Sequence, residues 1–204
     1  MVIGRLSPYA TDSTERAALA FYIASAAIFV GCALHLIVGA IAIQLPWYVD
    51  IPSPIVLYAV LWRLFDKRLW RMPLLRRMGV VRLPDLNGNY SGRLYSSHDR
   101  AEGMSHECFL AIKQSWTQIS IRGEFGESRS YNSISGISVV DTNVPRLTYE
   151  YINEPREGAP PTMHVHPGTV WFDIHIGGDA ISLIGEYYTG RDRRNTGSIE
   201  VARI

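Results

Sequence analysis

The strongest constraint on this 204-residue chain is a long uncharged run near its start. Between Ala17 and Leu45 the sequence contains no Asp, Glu, Lys or Arg. About 20 apolar residues suffice to cross the hydrocarbon core of a bilayer, so this run can span it even when tilted. A cleaved signal peptide is the alternative, because Ala40-Ile41-Ala42 resembles a cleavage site, although signal-peptide cores are only about 7–15 residues long.

A second and weaker apolar run extends from Trp47 to Phe65. Because Asp50, Pro52 and Pro54 interrupt its start, we interpret residues 45–54 as a tight outer turn and the residues that follow as a returning helix. The alternative is a single span followed by a helix that lies in the membrane interface, since the second run is short for a span.

Basic residues follow the second run directly. Residues 63–82 contain seven Lys or Arg side chains and one Asp, and basic residues that flank a span stay on the cytoplasmic side. Two spans would bring the N-terminus to that same side. The sequence therefore predicts residues 1–16 as a cytoplasmic N-terminal segment, 17–66 as a two-helix transmembrane hairpin, 67–85 as a basic cytoplasmic linker and 86–204 as a cytoplasmic domain, all in a multi-pass protein with both termini inside.

The first apolar run carries small residues on one helix face. They recur at steps of four, three and four residues: Ala20, Ala24, Ala27 and Gly31. Small residues let the backbones of membrane helices approach closely, so we interpret this face as a membrane-assembly contact; the alternative is chance in an alanine-rich helix. His35, one turn further on, is an ionisable group within the membrane and a candidate for the same contact, or a neutral histidine bonded to the second helix.

After Pro84 the apolar pattern changes to period two, which is typical of half-buried strands. Leu147, Tyr149 and Tyr151 alternate with polar residues, for example. Turn-forming residues separate eight such runs, which are Leu86–Tyr95, Ser105–Gln114, Thr117–Glu124, Ser128–Val140, Arg146–Asn153, Thr169–Ile176, Ala180–Thr189 and Ser198–Arg203.

Eight short antiparallel strands favour a closed up-and-down β-barrel, because closure removes exposed strand edges. An eight-stranded barrel has an interior that side chains fill or that holds one small ligand. A β-sandwich is the alternative, since it gives the same strand spacing. The Pro-rich stretch from Pro155 to Pro167 is predicted to be a long loop at the barrel rim.

The charge of the strand-rich part argues against nucleic-acid binding. Residues 86–204 contain 11 basic and 14 acidic side chains, a balance of −3, whereas binding to DNA or RNA needs a broad basic face.

The two cysteines, Cys32 and Cys108, lie in unlike parts of the chain. A disulfide between them is not expected, which fits the reducing cytoplasm.

One histidine pair resembles a metal motif. Gly158 and His164-Val165-His166 resemble the start of a cupin site, but Val170 and Trp171 stand where the Glu ligand should fall. We therefore expect no metal, no cofactor and no catalytic residues. A membrane-tethered, degenerate cupin-like metalloprotein enzyme is the competing interpretation, and a structural envelope protein whose barrel only packs against a partner is another.

Polar side chains near predicted strand ends are candidates for ligand contacts. Ser128 and Ser130 place two hydroxyls on one strand face, or simply begin a strand. Tyr187 and Tyr188 point to opposite faces, so only one can enter the barrel. The arginines that follow, Arg191, Arg193 and Arg194, suit a phosphate group, or lie on a solvated turn.

Several short motifs together resemble a known family. They are Leu86-Asn87-Gly88-Asn89-Tyr90-Ser91-Gly92, Ser128-Arg129-Ser130, Tyr151-Ile152-Asn153-Glu154-Pro155, Met163 to Thr169, Gly185 to Arg191, and Thr196-Gly197. In this order, after two short spans and a basic linker, they resemble the two-transmembrane, β-strand-rich effectors of bacterial cyclic-oligonucleotide anti-phage signalling (CBASS).

The resemblance implies a lipocalin-like barrel that binds a cyclic dinucleotide made by a nucleotidyltransferase encoded nearby. It also implies a protein that damages the bacterial inner membrane, which causes abortive-infection cell death. We further expect ligand-driven self-association, because the chain shows no catalytic constellation and two spans are too few to form a channel within one molecule. The candidate ligand contacts are Tyr90, Ser128, Ser130, Tyr151, Asn153, His166, Thr169, Tyr187, Tyr188 and Arg191. Of these, Arg191 is the candidate for a phosphate, and Tyr151 with Tyr187 or Tyr188 for base stacking.

Overall fold

The structure is a computed structural model that describes residues 6–41, 53–97, 104–140, 143–160, 163–178, 180–191 and 193–204. The described residues form two compact units. One is helical and comprises Thr14–Arg82. The other is built of strands, and in it residues 6–13 join Leu83–Ile204.

The helical unit contains three α-helices and one 3₁₀ turn within the described residues: α1 (Glu15–Ala40), α2 (Pro54–Lys67), the turn Leu69–Arg71, and α3 (Pro73–Arg77). The start of α2 has a well-formed cap. The Ser53 hydroxyl accepts a hydrogen bond from the Val56 amide at 3.4 Å, and Pro54 occupies the first turn, where its missing N–H costs nothing.

Helix α1 is the one described helix that is long and apolar enough to cross a membrane. Its 26 residues extend about 39 Å at about 1.5 Å per residue. Helix α2 has 14 residues, or about 21 Å, which is less than the roughly 30 Å of a hydrocarbon core. Most of the predicted outer turn, 45–54, lies outside the described residues, as do the last residues of the first predicted span.

Part of the predicted assembly face of α1 packs inside the chain. Ala27 and Gly31 are buried, whereas Ala20 and Ala24 are half-buried and His35 is exposed. A Cβ added at Gly31 would lie 3.5 Å from Leu57 Cδ1 and 3.8 Å from Pro54 Cγ, both in α2. These are ordinary van der Waals distances, so position 31 faces α2 and has room for a methyl group there.

The two ends of the helical unit meet. The backbone N–H of Arg82 donates to both carboxylate oxygens of Glu15 at 3.0 Å, and the Arg82 Nε lies 3.5 Å from Glu15 Oε1. The residue that opens α1 thus contacts the residue that closes the unit.

The strand unit is an eight-stranded antiparallel closed barrel. Its strands in the described residues are β3 (Gly88–Ser96), β4 (His106–Gln114), β5 (Gln118–Phe125), β6 (Ser128–Ser138), β7 (Arg146–Pro155), β8 (His166–Gly177), β9 (Ala180–Thr189) and β10 (Thr196–Arg203). Each pairs with its sequence neighbours, β3 pairs with β10, and the β5–β6 pairing closes the cylinder. The barrel prediction is confirmed and the sandwich alternative is excluded. The largest difference between a predicted and an observed strand boundary is at the start of β8, which begins at His166 rather than at Thr169.

The weakest seam of the barrel lies between β5 and β6. These strands pair over only three positions, from Arg122 opposite Tyr131 to Glu124 opposite Arg129. A bulge after Asn132 then carries β6 away from β5. Two short strands fill the gap: β1 (Ser7–Pro8) pairs with β5 and β2 (Ala10–Thr11) pairs with β6.

We call residues 7–12 the seam segment. The sequence predicted only a cytoplasmic segment for residues 1–16, with no strand in it. Tyr9 is buried in the barrel unit, and its hydroxyl donates to the Trp116 carbonyl at 2.9 Å. The Asp12 carboxylate accepts hydrogen bonds from the Val139 and Val140 amides at 2.8 and 2.9 Å. The segment is therefore an integral part of the barrel.

The barrel is filled at one end and open at the other. Near the β4–β5 turn the interior is packed with large side chains that are fully buried, among them Leu86, Tyr90 and Trp116. The other end is formed by the β3–β4, β5–β6, β7–β8 and β9–β10 connections. Because the packing stops before this end, a cavity remains there, and it is the candidate functional site.

Candidate ligand-binding cavity

The cavity has a volume of about 480 Å³, within the roughly 300–1,000 Å³ of typical small-molecule sites. Inward-facing residues of the strands form its wall, and the connections at the open end form its rim. Its polar and aromatic lining comprises Ser96, His106, Phe125, Glu127, Ser128, Ser130, Tyr149, Tyr151, Asn153, His166, Tyr187, Thr189, Arg193 and Asn195.

Three small polar side chains form a group on β6 and β7. Ser128, Ser130 and Asn153 are each more than 90% buried, and Ser130 lies directly opposite Asn153 in the sheet. Gly123, the neighbour of Ser130 on β5, has no side chain that would overlap the Ser130 hydroxyl. Within the described part of the chain these three side chains are not hydrogen-bonded to protein, so their donors and acceptors are available to a bound molecule.

Two tyrosine rings lie over glycines of the neighbouring strand. Tyr151 is opposite Gly168, where a Cβ would overlap the tyrosine hydroxyl. Tyr187 is opposite Gly197, where a Cβ would lie 2.6 Å from the Tyr187 ring. The two glycines therefore leave room for the rings against the cavity wall, where a planar group can stack on them.

Burial keeps the cavity phenols protonated. Desolvation raises the pKa of Tyr151, an effect that Tyr187 increases and Arg193 opposes. Desolvation likewise raises the pKa of Tyr149. Both hydroxyls are consequently neutral hydrogen-bond donors throughout the physiological pH range.

Positive charge in the cavity comes from few groups. Arg193, in the β9–β10 connection, is the guanidinium among the lining residues. His166 is buried, and its Nδ1 lies 2.9 Å from the His164 carbonyl oxygen. Desolvation lowers the pKa of His166; the bond to His164 opposes this effect and the charge of Arg193 adds to it. His166 is therefore neutral at pH 7, and the charge of an anionic ligand would meet Arg193.

The predicted contacts divide between the cavity and other places. Six of the predicted side chains line it, namely Ser128, Ser130, Tyr151, Asn153, His166 and Tyr187. Tyr188 is 50% exposed on the outer face, where Thr169 pairs with it. Arg191 is exposed and outside the lining.

Tyr90 lies at the filled end rather than in the cavity. Its hydroxyl donates to the Leu86 carbonyl at 3.0 Å and accepts from Arg203 Nη2 at 3.2 Å. The cavity also contains residues outside the predicted contact set, chiefly Ser96, His106 and Tyr149. It contains Arg193 as well, which the sequence named with Arg191 and Arg194 as suited to a phosphate, although Arg191 was the one chosen as the contact. The one sequence feature that indicates Tyr149 as a cavity residue is its spacing of two residues from Tyr151, which puts both side chains on the same face of the strand.

The histidine pair does not form a ligand cluster in the structure. The His164 and His166 rings are 6.3 Å apart, and Nδ1 of His166 is bonded to the His164 carbonyl. In the ranges that the structure describes, no three His, Cys, Asp or Glu side chains are gathered to hold a metal ion.

A closed antiparallel barrel with a filled end and a polar, tyrosine-lined cavity defines the class of β-barrels that bind small ligands. The family model of the Cap15 cyclic dinucleotide receptor domain matches residues 81–203, which include every strand of this barrel from β3 to β10. The chain belongs to this family, which confirms the resemblance for the receptor domain. Of the two predicted spans, the described residues contain one helix that is long and apolar enough to cross a membrane. A search of curated proteins finds no match.

Proposed function

We propose that this chain is a membrane-anchored effector of anti-phage signalling whose barrel binds a cyclic dinucleotide in the cavity at its open end. The observation that carries the proposal is the cavity itself. It combines unpaired polar groups, two tyrosine rings and an arginine within a domain of the Cap15 receptor family.

The chemistry of the cavity suits a cyclic dinucleotide. Such a molecule presents two phosphates and two bases, and a domain with a charge balance of −3 holds it by discrete donors rather than by bulk charge. In this proposal Arg193 meets a phosphate, and Tyr151 and Tyr187 stack on bases, because all three side chains line the cavity. The hydroxyls of Ser128 and Ser130 and the amide of Asn153 supply hydrogen bonds.

The strand unit supports two membrane crossings. The seam segment precedes α1 and the remaining strands follow α3, yet both belong to one folded unit. If α1 crosses the bilayer, the chain must cross back before Leu83. A signal peptidase cut near residues 40–42 would separate the seam segment from the barrel, so the signal-peptide alternative loses support.

The output we propose is damage to the bacterial inner membrane. The nucleotide, made by a nucleotidyltransferase encoded nearby, would drive assembly of the barrels, and assembly would gather the helical units. Helix α1 exposes large apolar side chains such as Phe21, Phe29 and Leu36, which suit contact with lipid or with neighbouring copies. Ala20 and Ala24 are the members of the small-residue face that are not fully buried within the chain.

A thermal-shift experiment on the detergent-solubilised full chain tests this function. A ligand that binds only the folded state raises stability by mass action, by about 2.7 kcal/mol at 100 times Kd. We expect at least one cyclic dinucleotide to raise the melting temperature in a saturable way, and the matching linear dinucleotide to have a much smaller effect. If no member of a full panel of cyclic dinucleotides shifts the transition, the proposal is wrong.

A further inference from the structure

Asn132 holds together the place where β5 and β6 separate. It is more than 90% buried. Its Oδ1 accepts a hydrogen bond from the Ile121 amide of β5 at 2.7 Å. Its Nδ2 donates to the hydroxyls of Ser7 in the seam segment, at 3.2 Å, and of Ser135 in β6, at 2.8 Å. One side chain therefore connects β5, β6 and the seam segment at the weakest part of the barrel.

The same stretch of β6 also forms the cavity. Ser130 lines the cavity, and Asn132 is two residues further along the strand with the same inward parity. Ser130 also lies within the three-position β5–β6 pairing, opposite Gly123. A molecule that contacts Ser130 thus acts on the last paired positions before the seam that Asn132 bridges.

The seam segment leads directly into α1. Its last residue, Asp12, is fixed to the barrel through the Val139 and Val140 amides. Only Ser13 and Thr14 separate Asp12 from Glu15, where α1 begins. Since an extended chain spans at most about 3.6 Å per residue, this connection cannot absorb a large displacement of Asp12 without moving the start of α1.

We propose that the seam segment transmits cavity occupancy to α1, and that Asn132 is the positioning residue through which it does so. The inference rests on the proposed function, because it concerns how ligand binding reaches the helical unit. In this proposal the seam segment remains paired with β5 and β6 while it transmits ligand binding to α1. Its release would expose Tyr9, which is 3% exposed, and would break the bonds of Asp12 and Ser7 as well.

The first test compares ligand binding with membrane damage in full-length protein reconstituted into phosphatidylethanolamine–phosphatidylglycerol vesicles that contain a self-quenching dye. The probe is the cyclic dinucleotide that stabilises the unmodified protein. Asn132→Ala removes all three bonds of the amide, and Ser7→Ala is the milder change because it removes only a seam-segment hydroxyl. Ser133→Ala is the matched control, since Ser133 is exposed on the same strand and, among the described residues, its hydroxyl bonds only to the Glu150 carbonyl.

We expect both seam variants to lose ligand-dependent leakage at least tenfold while they bind the ligand as tightly as the unmodified protein or more tightly. In the seam variants, ligand binding would no longer have to move the helical unit, so their affinity for the ligand cannot fall for that reason. A variant whose barrel was simply damaged would bind the ligand more weakly. Ser133→Ala should leak normally. Normal leakage by both seam variants would overturn the inference, as would a loss of leakage that only follows a loss of affinity.

A disulfide tests whether the segment stays docked. Pro8 and Gln118 are register partners in β1 and β5, so Pro8→Cys with Gln118→Cys, in a Cys32→Ser background, can lock the segment in place. We expect the oxidised protein to leak within about twofold of its reduced form. Leakage that appears only after reduction would show that the segment must leave the seam, and the inference would be wrong. An unmodified protein that neither binds nor leaks would instead overturn the proposed function, and the inference with it.

Discussion

Two arginines in one connection differ in what they can reach. Arg193 lines the cavity, and its charge acts on both Tyr151 and His166. Arg191, two residues earlier, is exposed and outside the lining. Their proximity in sequence makes them a matched pair, because replacing either removes the same charge from the same connection.

Arg193→Ala should weaken cyclic-dinucleotide binding by about 1.5–3 kcal/mol, the usual range for a hydrogen bond to a charged group. Arg191→Ala should change affinity by less than about threefold, since only the long-range attraction of an exposed charge is lost. Isothermal titration calorimetry at fixed ionic strength measures both. Equal losses for the two variants would mean that the phosphate is held outside the cavity.

His166 should make binding depend on pH. Its pKa is lowered in the free protein, chiefly by burial, and a phosphate beside the ring would raise it in the complex. Binding then takes up a proton at any pH between these two pKa values, so affinity should rise as the pH falls through the raised pKa of the complex and level off below the lowered pKa of the free protein. The phosphodiesters of the ligand do not titrate in this range.

His166→Gln should flatten this pH profile, which is measured as Kd at several pH values. The groups that act on the pKa of His166 are Arg193 and His164. His106 also lines the cavity, so His106→Gln is the control for removing a histidine from this cavity. If the Kd of His166→Gln depends on pH as steeply as that of the unmodified protein, the proton taken up on binding belongs to another group.

Strand parity explains how far single residues were predictable. Alternation correctly required Tyr187 and Tyr188 to face opposite ways, but it did not say which enters the barrel. That choice depends on how β9 is registered against its neighbours, and register is set by contacts across the sheet. Arg193 lies in a connection with no alternation, so only the folded chain distinguishes it from Arg191.

At the level of elements, Gly31 marks a position on α1 that faces α2, where a large side chain would press on that helix. A side chain at position 31 would meet Leu57 and Pro54, whereas a Cβ at Gly39 would have no neighbour within 4 Å among the described residues. Both glycines lie in α1. The pair therefore separates an effect on helix packing from the general effect of bulk in this helix.

Gly31→Leu should abolish ligand-dependent dye leakage while ligand binding by the barrel is retained, because the leucine would force α2 away from α1. Gly39→Leu should leak at close to the normal rate. Leakage from reconstituted vesicles and a thermal shift on the same samples provide the two measurements. Normal leakage by Gly31→Leu would mean that α1–α2 packing is not needed for membrane damage.

Elements with a long periodic pattern were predictable, and elements without one were not. The eight barrel strands alternate over 8–12 residues, so their existence and approximate bounds could be read from the sequence. The seam strands have two residues each and pair with partners more than a hundred positions away, Ser7 with Ile119 for example. No local pattern can indicate such a pairing.

At the level of the whole molecule, the layout of the chain predicts where its ends lie. The seam segment and the C-terminal strand belong to the same unit, and seven basic side chains in residues 63–82 favour the cytoplasmic side. We expect a reporter fused after Leu83 and another fused after Ile204 to be cytoplasmic. A periplasmic signal from the Ile204 fusion, measured with paired phosphatase and fluorescent-protein reporters, would contradict the proposed topology.

The seam segment also has a consequence for biogenesis. Ribosomes make it before α1, yet its partners β5 and β6 are made more than a hundred residues later, so it must wait unpaired until those strands are made. A chain that crossed the bilayer only once would leave the segment across the bilayer from the barrel, whose gap between β5 and β6 would then stay open. Exposed strand edges of this kind promote aggregation. If the chain crosses the membrane twice as proposed, completion of the barrel would therefore distinguish chains that have made both crossings from chains that have made one.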